Sequence, residues 1–423
     1  MPGTERITGT ERIGWSQQAA NTEELASFRY VIYVDAVAND AQGVSCSADA
    51  GPAGYACTGR LPSMTAGPHA LTLSSFIENG GARLESPRSA AITVILLSQS
   101  TSAASGSGDT TIVTTLDGVR LRSQVVVDGL DEPTDLAFAP DGRIFIAERA
   151  GRIRVVRGGR QAPRPALALA DVFTDGGHGL LALAVDPGYT RNRFVYLVYT
   201  TPRGFRLARV RGVGDTLGDR AILLDDIAAS APRPSAALRF GPDTRLYLAL
   251  DDAGDVRRQG DLGSFNGKLL RLNADATTPA DQPSASPVFV RGLGAPRGVA
   301  WGVDGSTVWV LDGAGAPGGL LQAASQAGTV VSRYRLPDGA SPSGVAMYRG
   351  DLIPAFRGNL LLGGSGDGSL LRLTLDPADP TKVAAIERLR FTSFDEVRTL
   401  TVGPDGAVYV CTARTLLKLS PSQ

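Results

Sequence analysis

Short apolar runs, each carrying an aromatic and each launched from an Asp-containing turn, recur along the chain beyond residue 130. Phe138-Ala-Pro-Asp-Gly-Arg-Ile-Phe-Ile, Phe240-Gly-Pro-Asp-Thr-Arg-Leu-Tyr-Leu, Trp301-Gly-Val-Asp-Gly-Ser-Thr-Val-Trp-Val and Val402-Gly-Pro-Asp-Gly-Ala-Val-Tyr-Val repeat the pattern. Looser copies are Val185-Asp-Pro-Gly-Tyr before Phe194-Val-Tyr-Leu-Val-Tyr, and Tyr348-Arg-Gly-Asp-Leu before Asn359-Leu-Leu-Leu. The turn aspartates Asp141, Asp186, Asp243, Asp304, Asp351 and Asp405 lie 45, 57, 61, 47 and 54 residues apart. A repeat of that size made of strands and turns is the period of a β-propeller blade, and six copies predict six blades. Ring closure is expected between a strand near Arg120 to Val127 and the last blade around Thr415 to Leu419.

The N-terminal quarter has a different rhythm. Phe28-Arg-Tyr-Val-Ile-Tyr-Val-Asp-Ala-Val is rich in aromatic and β-branched residues, as a strand requires. A turn runs into a second strand over Leu61 to Phe76, and Ala91-Ile-Thr-Val-Ile-Leu-Leu supplies another. Several short strands in under 90 residues predict a β-sandwich of the immunoglobulin or fibronectin type III kind. Ser98-Gln-Ser-Thr-Ser-Ala-Ala-Ser-Gly-Ser-Gly reads as a linker by composition. The expected division is a tail over 1–11, a sandwich over 12–98, a linker over 99–115 and a six-bladed propeller over 116–423. The expected fold class is all-β, a sandwich followed by a propeller.

Charge narrows the partners. Forty-two basic and 42 acidic residues leave no net field, which argues against nucleic acid and anionic membrane. Only Lys268, Lys382 and Lys418 are lysines, a bias that reads as genome composition. No run of 18 apolar residues occurs, so no transmembrane helix is expected. The first dozen residues lack the apolar core of a signal peptide. Cys46 and Cys57, 11 residues apart around a Gly/Ala/Ser-rich turn, suit a disulfide between neighbouring strands. That bridge implies an oxidising compartment, either secreted, periplasmic or at the cell surface of a bacterium. Cys411, within the last apolar run, reads as buried packing.

Several phrases resemble the soluble quinoprotein glucose/sorbosone dehydrogenases. They are Gly129-Leu-Asp-Glu-Pro-Thr-Asp-Leu-Ala-Phe-Ala-Pro-Asp-Gly, Ala147-Glu-Arg-Ala-Gly-Arg-Ile-Arg-Val-Val, Gly179-Leu-Leu-Ala-Leu-Ala-Val-Asp-Pro, Asn266-Gly-Lys-Leu-Leu-Arg-Leu-Asn and Pro342-Ser-Gly-Val-Ala-Met-Tyr-Arg-Gly-Asp. The resemblance spans roughly 300 residues in order, and implies a six-bladed propeller whose upper funnel holds pyrroloquinoline quinone (PQQ) and calcium. The sandwich is an accessory module outside that resemblance; the turn into a strand around Gly67 and Leu71 resembles the edge of fibronectin type III modules.

The same resemblance exposes departures. A dehydrogenase of this type needs a base to take the hydroxyl proton as hydride leaves for the quinone. The family histidine falls on Arg233, and a guanidinium cannot serve as a base. The glycines that follow have become Ser235 and Ala236. The cationic partners for the quinone carboxylates fall on Asp255, Val256, a position near Gly366, Glu396 and Arg398, so only Arg398 survives as a cation. An Arg-Asn-Pro-Gln-like phrase has become Gly294-Ala-Pro-Arg, and a Glu-His-Gly phrase has become Asp312-Gly-Ala. His69 and His178 are the only histidines.

These departures predict a catalytically degenerate homologue that has lost PQQ and calcium and serves as an extracytoplasmic binding or assembly module. Its expected partners are proteins or glycans, self-assembly included. The alternative is an active PQQ- and calcium-dependent sugar dehydrogenase with a rebuilt site. It would use His178 or Asp252 as base and Arg233 and Arg398 as cofactor ligands, all converging in one funnel. Asp251, Asp252, Asp255 and Asp261 form an acidic loop whose oxygens could hold calcium, or pair with Arg257 and Arg258 in a solvated turn. Gly313-Ala-Gly-Ala-Pro-Gly-Gly lacks the following Lys-Ser/Thr of a phosphate loop, and no Gly-x-Ser-x-Gly nucleophile motif is complete.

Overall fold

The computed structural model describes residues 5–7, 12–62, 64, 67–79, 82–96, 112–282, 285–364, 368–391 and 394–422. The chain divides into two compact units, Met1–Gly106 and Ser107–Gln423. That boundary falls inside the expected linker, most of which lies outside the described residues.

The first unit is a sandwich. One sheet runs Glu5–Ile7, Ile92–Leu96, Gly67–Asn79, Arg29–Val34, Val37–Asp40, with Ala82–Glu85 also on Gly67–Asn79. The other runs Arg12–Gln17, Tyr55–Arg60, Gln42–Cys46. The aromatic run read from the sequence lies inside: Tyr30 to Val34 are all buried, and Tyr30 meets Trp15 of the facing sheet at 4.8 Å between ring centroids. Cys46 and Cys57 are register partners on adjacent strands and form the disulfide. Residues 5–7, expected in a tail, instead pair in parallel with Ile92–Leu96, satisfying backbone groups that a free edge would leave open.

The second unit has six antiparallel sheets. The innermost strands are Pro133–Phe138, Leu180–Val185, Ala236–Phe240, Pro296–Trp301, Pro342–Met347 and Thr399–Val402. Each packs on the next and the sixth packs on the first, so the ring closes. In the sixth blade Leu416–Pro421 pairs antiparallel with Arg120–Val127, the closure expected from the sequence. Ile112–Thr114, expected in the linker, adds a further strand to that blade through Val113↔Leu121, because Val113 packs on the same core cluster as Leu121.

The repeated turn makes the first hairpin of four blades. The Asp carboxylate accepts the backbone N–H two residues on, as in Arg143 N to Asp141 Oδ1 at 3.2 Å and Ser306 N to Asp304 Oδ1 at 3.0 Å. The next position must adopt positive φ: Gly142 at 82°, Gly305 at 72°, Gly406 at 77°, and Thr244 at 60° where the repeat lacks its glycine. The strands launched by these turns, Ile144–Glu148, Leu246–Leu250, Val308–Asp312 and Val408–Cys411, are buried at every position. Neighbouring blades cover both faces, which is why the sequence shows continuous apolar runs instead of alternation. The outermost Val330–Arg335 faces water on one side and does alternate.

Candidate functional site

Every innermost strand runs from one end of the ring toward the Asp-Gly turns at the other. The residues that enter these strands, and those that leave the second strands, therefore gather at the end opposite the turns. There they enclose a central cavity of about 350 Å³. Five arginines line it: Arg149 just after Ile144–Glu148, Arg233 ahead of Ala236–Phe240, Arg239 within that strand, Arg297 at the start of Pro296–Trp301, and Arg398 immediately before Thr399–Val402. Gly313 leaves room for one of them; a Cβ there would stand 3.1 Å from Arg297 Nε.

Three of the five are paired. Arg239 forms a bidentate bridge to Asp135 at 2.7 and 2.8 Å, with Asp135 only 3% exposed. Burial opposes the Arg239 charge, but attraction and hydrogen bonding to Asp135 outweigh it and raise its pKa. Asp135 also accepts the Leu183 N–H at 3.0 Å and the Thr399 hydroxyl at 3.4 Å, so one carboxylate ties blades one, two, three and six. Arg149 meets Glu132 at 3.2 Å, and Arg398 meets Glu396 at 3.1 Å and Glu132 at 3.7 Å.

Arg233 and Arg297 have no hydrogen-bond or ion-pair partner among the described residues. Arg297 is reached by water yet crowded by protein, as a side chain projecting into a channel is. That crowding lowers its pKa, Asp251 and Asp312 oppose the shift, and Arg149 and Arg233 add to it. Arginine stays protonated through such shifts. Around the same cavity, Ser235 Oγ, Ser343 Oγ and Arg398 Nε are buried without a partner.

Of the residues singled out in the sequence, Arg233 and Arg398 line the cavity; His178 and Asp252 do not. His178 is 8% exposed and packs edge-on against Phe173 at 4.8 Å between ring centroids. Burial lowers its pKa, with Asp175 opposing weakly. Asp252 accepts from the Gln259 side chain at 2.9 Å and the Gly254 N–H at 3.0 Å.

The acidic loop is not a shared carboxylate cage. Asp251 accepts backbone N–H groups of Ser230, Ser235 and Ala253, Asp255 pairs with Arg257 at 2.9 Å, and Asp261 accepts the Gly263 N–H. Each closes its own turn, and no group of three His, Cys, Asp or Glu among the described residues is placed to hold a metal. Asp251 has a counterpart in Asp312, which accepts Gly294, Ala295 and Ala314 N–H groups, and in Glu148, which accepts Asp131 N–H. These buried acids at second-strand ends anchor the loops that enter the cavity. Lys268, fully buried, likewise donates to Arg258 and Asn266 carbonyls and fixes the acidic loop from below.

Arg149, Arg297 and Ser343 were not singled out by sequence reasoning. Their signal was positional: each flanks an innermost strand start or a second-strand end, where side chains turn toward the ring axis. Of the positions to which the resemblance assigns the quinone's cationic partners, Asp255 is tied to Arg257, Val256 is 67% exposed, Gly366 lies outside the described residues, and Glu396 is an acid bound to Arg398. No aromatic ring lines the cavity among the described residues.

Comparison with known proteins places this architecture. The profile described as Glucose / Sorbosone dehydrogenase matches residues 130–319 and 320–419. The aldose sugar dehydrogenase of Escherichia coli K12 is 26% identical over 346 residues, covering 70% of this chain and 92% of that one. The crystal structure of an oxidoreductase from Thermus thermophilus superposes with a TM-score of 0.61 at 29% identity, over 71% of this chain and 99% of that one. A PQQ-bound aldose sugar dehydrogenase from Streptomyces coelicolor shares the fold, with a TM-score of 0.60 at 22% identity over 71% and 98% of the two chains.

Proposed function

The chain belongs to the glucose/sorbosone dehydrogenase family, and from that premise we propose that its propeller is a catalytically degenerate member, retained as an extracytoplasmic binding or assembly module. One observation carries this reading: a guanidinium, Arg233, stands in the funnel where the family resemblance expects the histidine base. Neither carboxylate lining the cavity is free to replace it. Asp135 is locked to Arg239, and Glu396 is bound to Arg398. His178 would have to leave its packing on Phe173 to reach a substrate.

The residues present also do not fit PQQ as the resemblance would hold it. Of the positions to which the resemblance assigns cationic partners only Arg398 is a cation, and among the described residues no aromatic ring lines the cavity to face a planar tricycle. A cavity of about 350 Å³ is near the lower end of the ~300–1,000 Å³ usual for small-molecule sites, room for one small ligand rather than a quinone with a sugar upon it. The disulfide in the first unit supports an oxidising compartment. The sandwich, immunoglobulin- or fibronectin-like, offers sheet edges for a protein or glycan partner or a second copy of the chain.

The test is a titration of the full chain with PQQ and calcium, followed by dye-linked oxidation of aldoses. Neither saturable binding nor turnover is expected. Turnover that disappears in a His178→Gln or Asp252→Asn variant would instead establish the active, rebuilt enzyme.

A further inference from the structure

Three of the funnel's five arginines are taken: Arg239 by Asp135, Arg149 by Glu132 and Arg398 by Glu396. Arg233 and Arg297 line the same cavity with no direct ion pair: Asp251 and Asp312 attract Arg297 and Arg149 repels it, but both carboxylates are spent on backbone N–H groups. Two guanidinium groups with unused N–H donors in one cavity suit an anion. Guanidinium groups bind carboxylates through paired N–H donors, which suits two separate carboxylates better than one. The rest of the lining among the described residues is glycine, proline, small hydroxyl and small aliphatic side chains with no aromatic ring, which disfavours an aromatic ligand.

We infer that the funnel is a receptor site for an aliphatic dicarboxylate, a dianion whose carboxylates engage Arg233 and Arg297. This rests on the reading of the propeller as a non-oxidising binding module. It also explains the replacement at the old base position: a group that once took a proton from a neutral hydroxyl now meets a permanently negative carboxylate.

The experiment is isothermal titration of the full chain at low salt with succinate, malate and D-glucarate, with glucose and PQQ as comparators. All three dicarboxylates should bind, and glucose should not. Arg233→Gln and Arg297→Gln should each weaken binding by about tenfold or more, as loss of a charge-assisted pair does. Arg297→Lys, which keeps the charge, checks that a loss in the glutamine variant is not a folding failure. No dicarboxylate binding at about 10 mM overturns the inference, as does unchanged affinity in folded Arg233→Gln and Arg297→Gln proteins. The two readings fail separately: dye-linked turnover with PQQ defeats the degenerate-module reading, whereas a blank dicarboxylate titration without such turnover defeats this inference alone.

Discussion

Replacing Asp135 by Ala should destabilise the propeller more than any single change at the cavity rim. The substitution strands the Arg239 guanidinium and removes the acceptor of the Leu183 N–H. Breaking a buried pair by deleting one partner costs about 3–5 kcal/mol. Arg239 keeps 28% side-chain exposure to the cavity, which favours the lower end, about 3 kcal/mol. The unsatisfied amide adds about 1 kcal/mol. A total of about 4 kcal/mol, at a urea slope of about 3 kcal/mol/M, lowers the unfolding midpoint by somewhat more than 1 M. Urea titration followed by tryptophan fluorescence reads this directly, since Trp301 and Trp309 both lie in the propeller. Asp135→Ala/Arg239→Met, with both charges gone, should recover at least half of the loss. A single variant within about 0.2 M of the parent, or a double variant no better than the single, would refute the claim that an uncompensated charge is the cause.

Other outcomes follow from features elsewhere. His178 has a folded pKa below its unfolded value of about 6.5, so the unfolded chain takes up the proton first as pH falls. The stability from its neutral ring is present above about pH 6.5 and is lost as pH drops toward the folded pKa; His178→Phe should flatten the melting-temperature profile in that window. Cys46→Ser/Cys57→Ser should cost the sandwich about 2–3 kcal/mol for a loop of this length and leave the propeller transition unmoved in calorimetry. Thr244→Gly should stabilise the propeller by about 0.5–1 kcal/mol, because relief of left-handed strain exceeds the entropy of glycine; a destabilised variant in urea titration would contradict it.

The architecture was legible because its local chemistry is explicit. The Asp-Gly turns read in sequence are the hairpins seen in the structure, and ring closure by Arg120–Val127 follows from counting strands. The cavity was legible only in part. Arg233 and Arg398 could be placed because phrases of the chain resemble a family. Arg149 and Arg297 escaped because nothing local marks a side chain that points to an axis shared by six distant segments. The acidic loop was open to two readings, a calcium ligand set or a solvated turn; Asp255 pairs with Arg257 as the second has it, and Asp251, Asp252 and Asp261 turn to different backbone and side-chain donors. Residues 5–7 and 112–114 escaped assignment because three-residue strands have too few positions to show a period.

Ring closure also dictates when this protein can become itself. Arg122 and Ser420 meet across 298 residues of sequence, so during synthesis the first partner emerges long before the second. Until the last strand arrives, Arg120–Val127 carries an open hydrogen-bonding edge, and Leu121 and Val127, both buried in the finished ring, are bare. Contacts of such separation form slowly, and an unpaired edge in the meantime invites pairing with another molecule. A nascent chain stalled short of residue 416 would therefore be an aggregation template rather than a five-sixths propeller, and any holding factor that escorts it needs to cover that one strand.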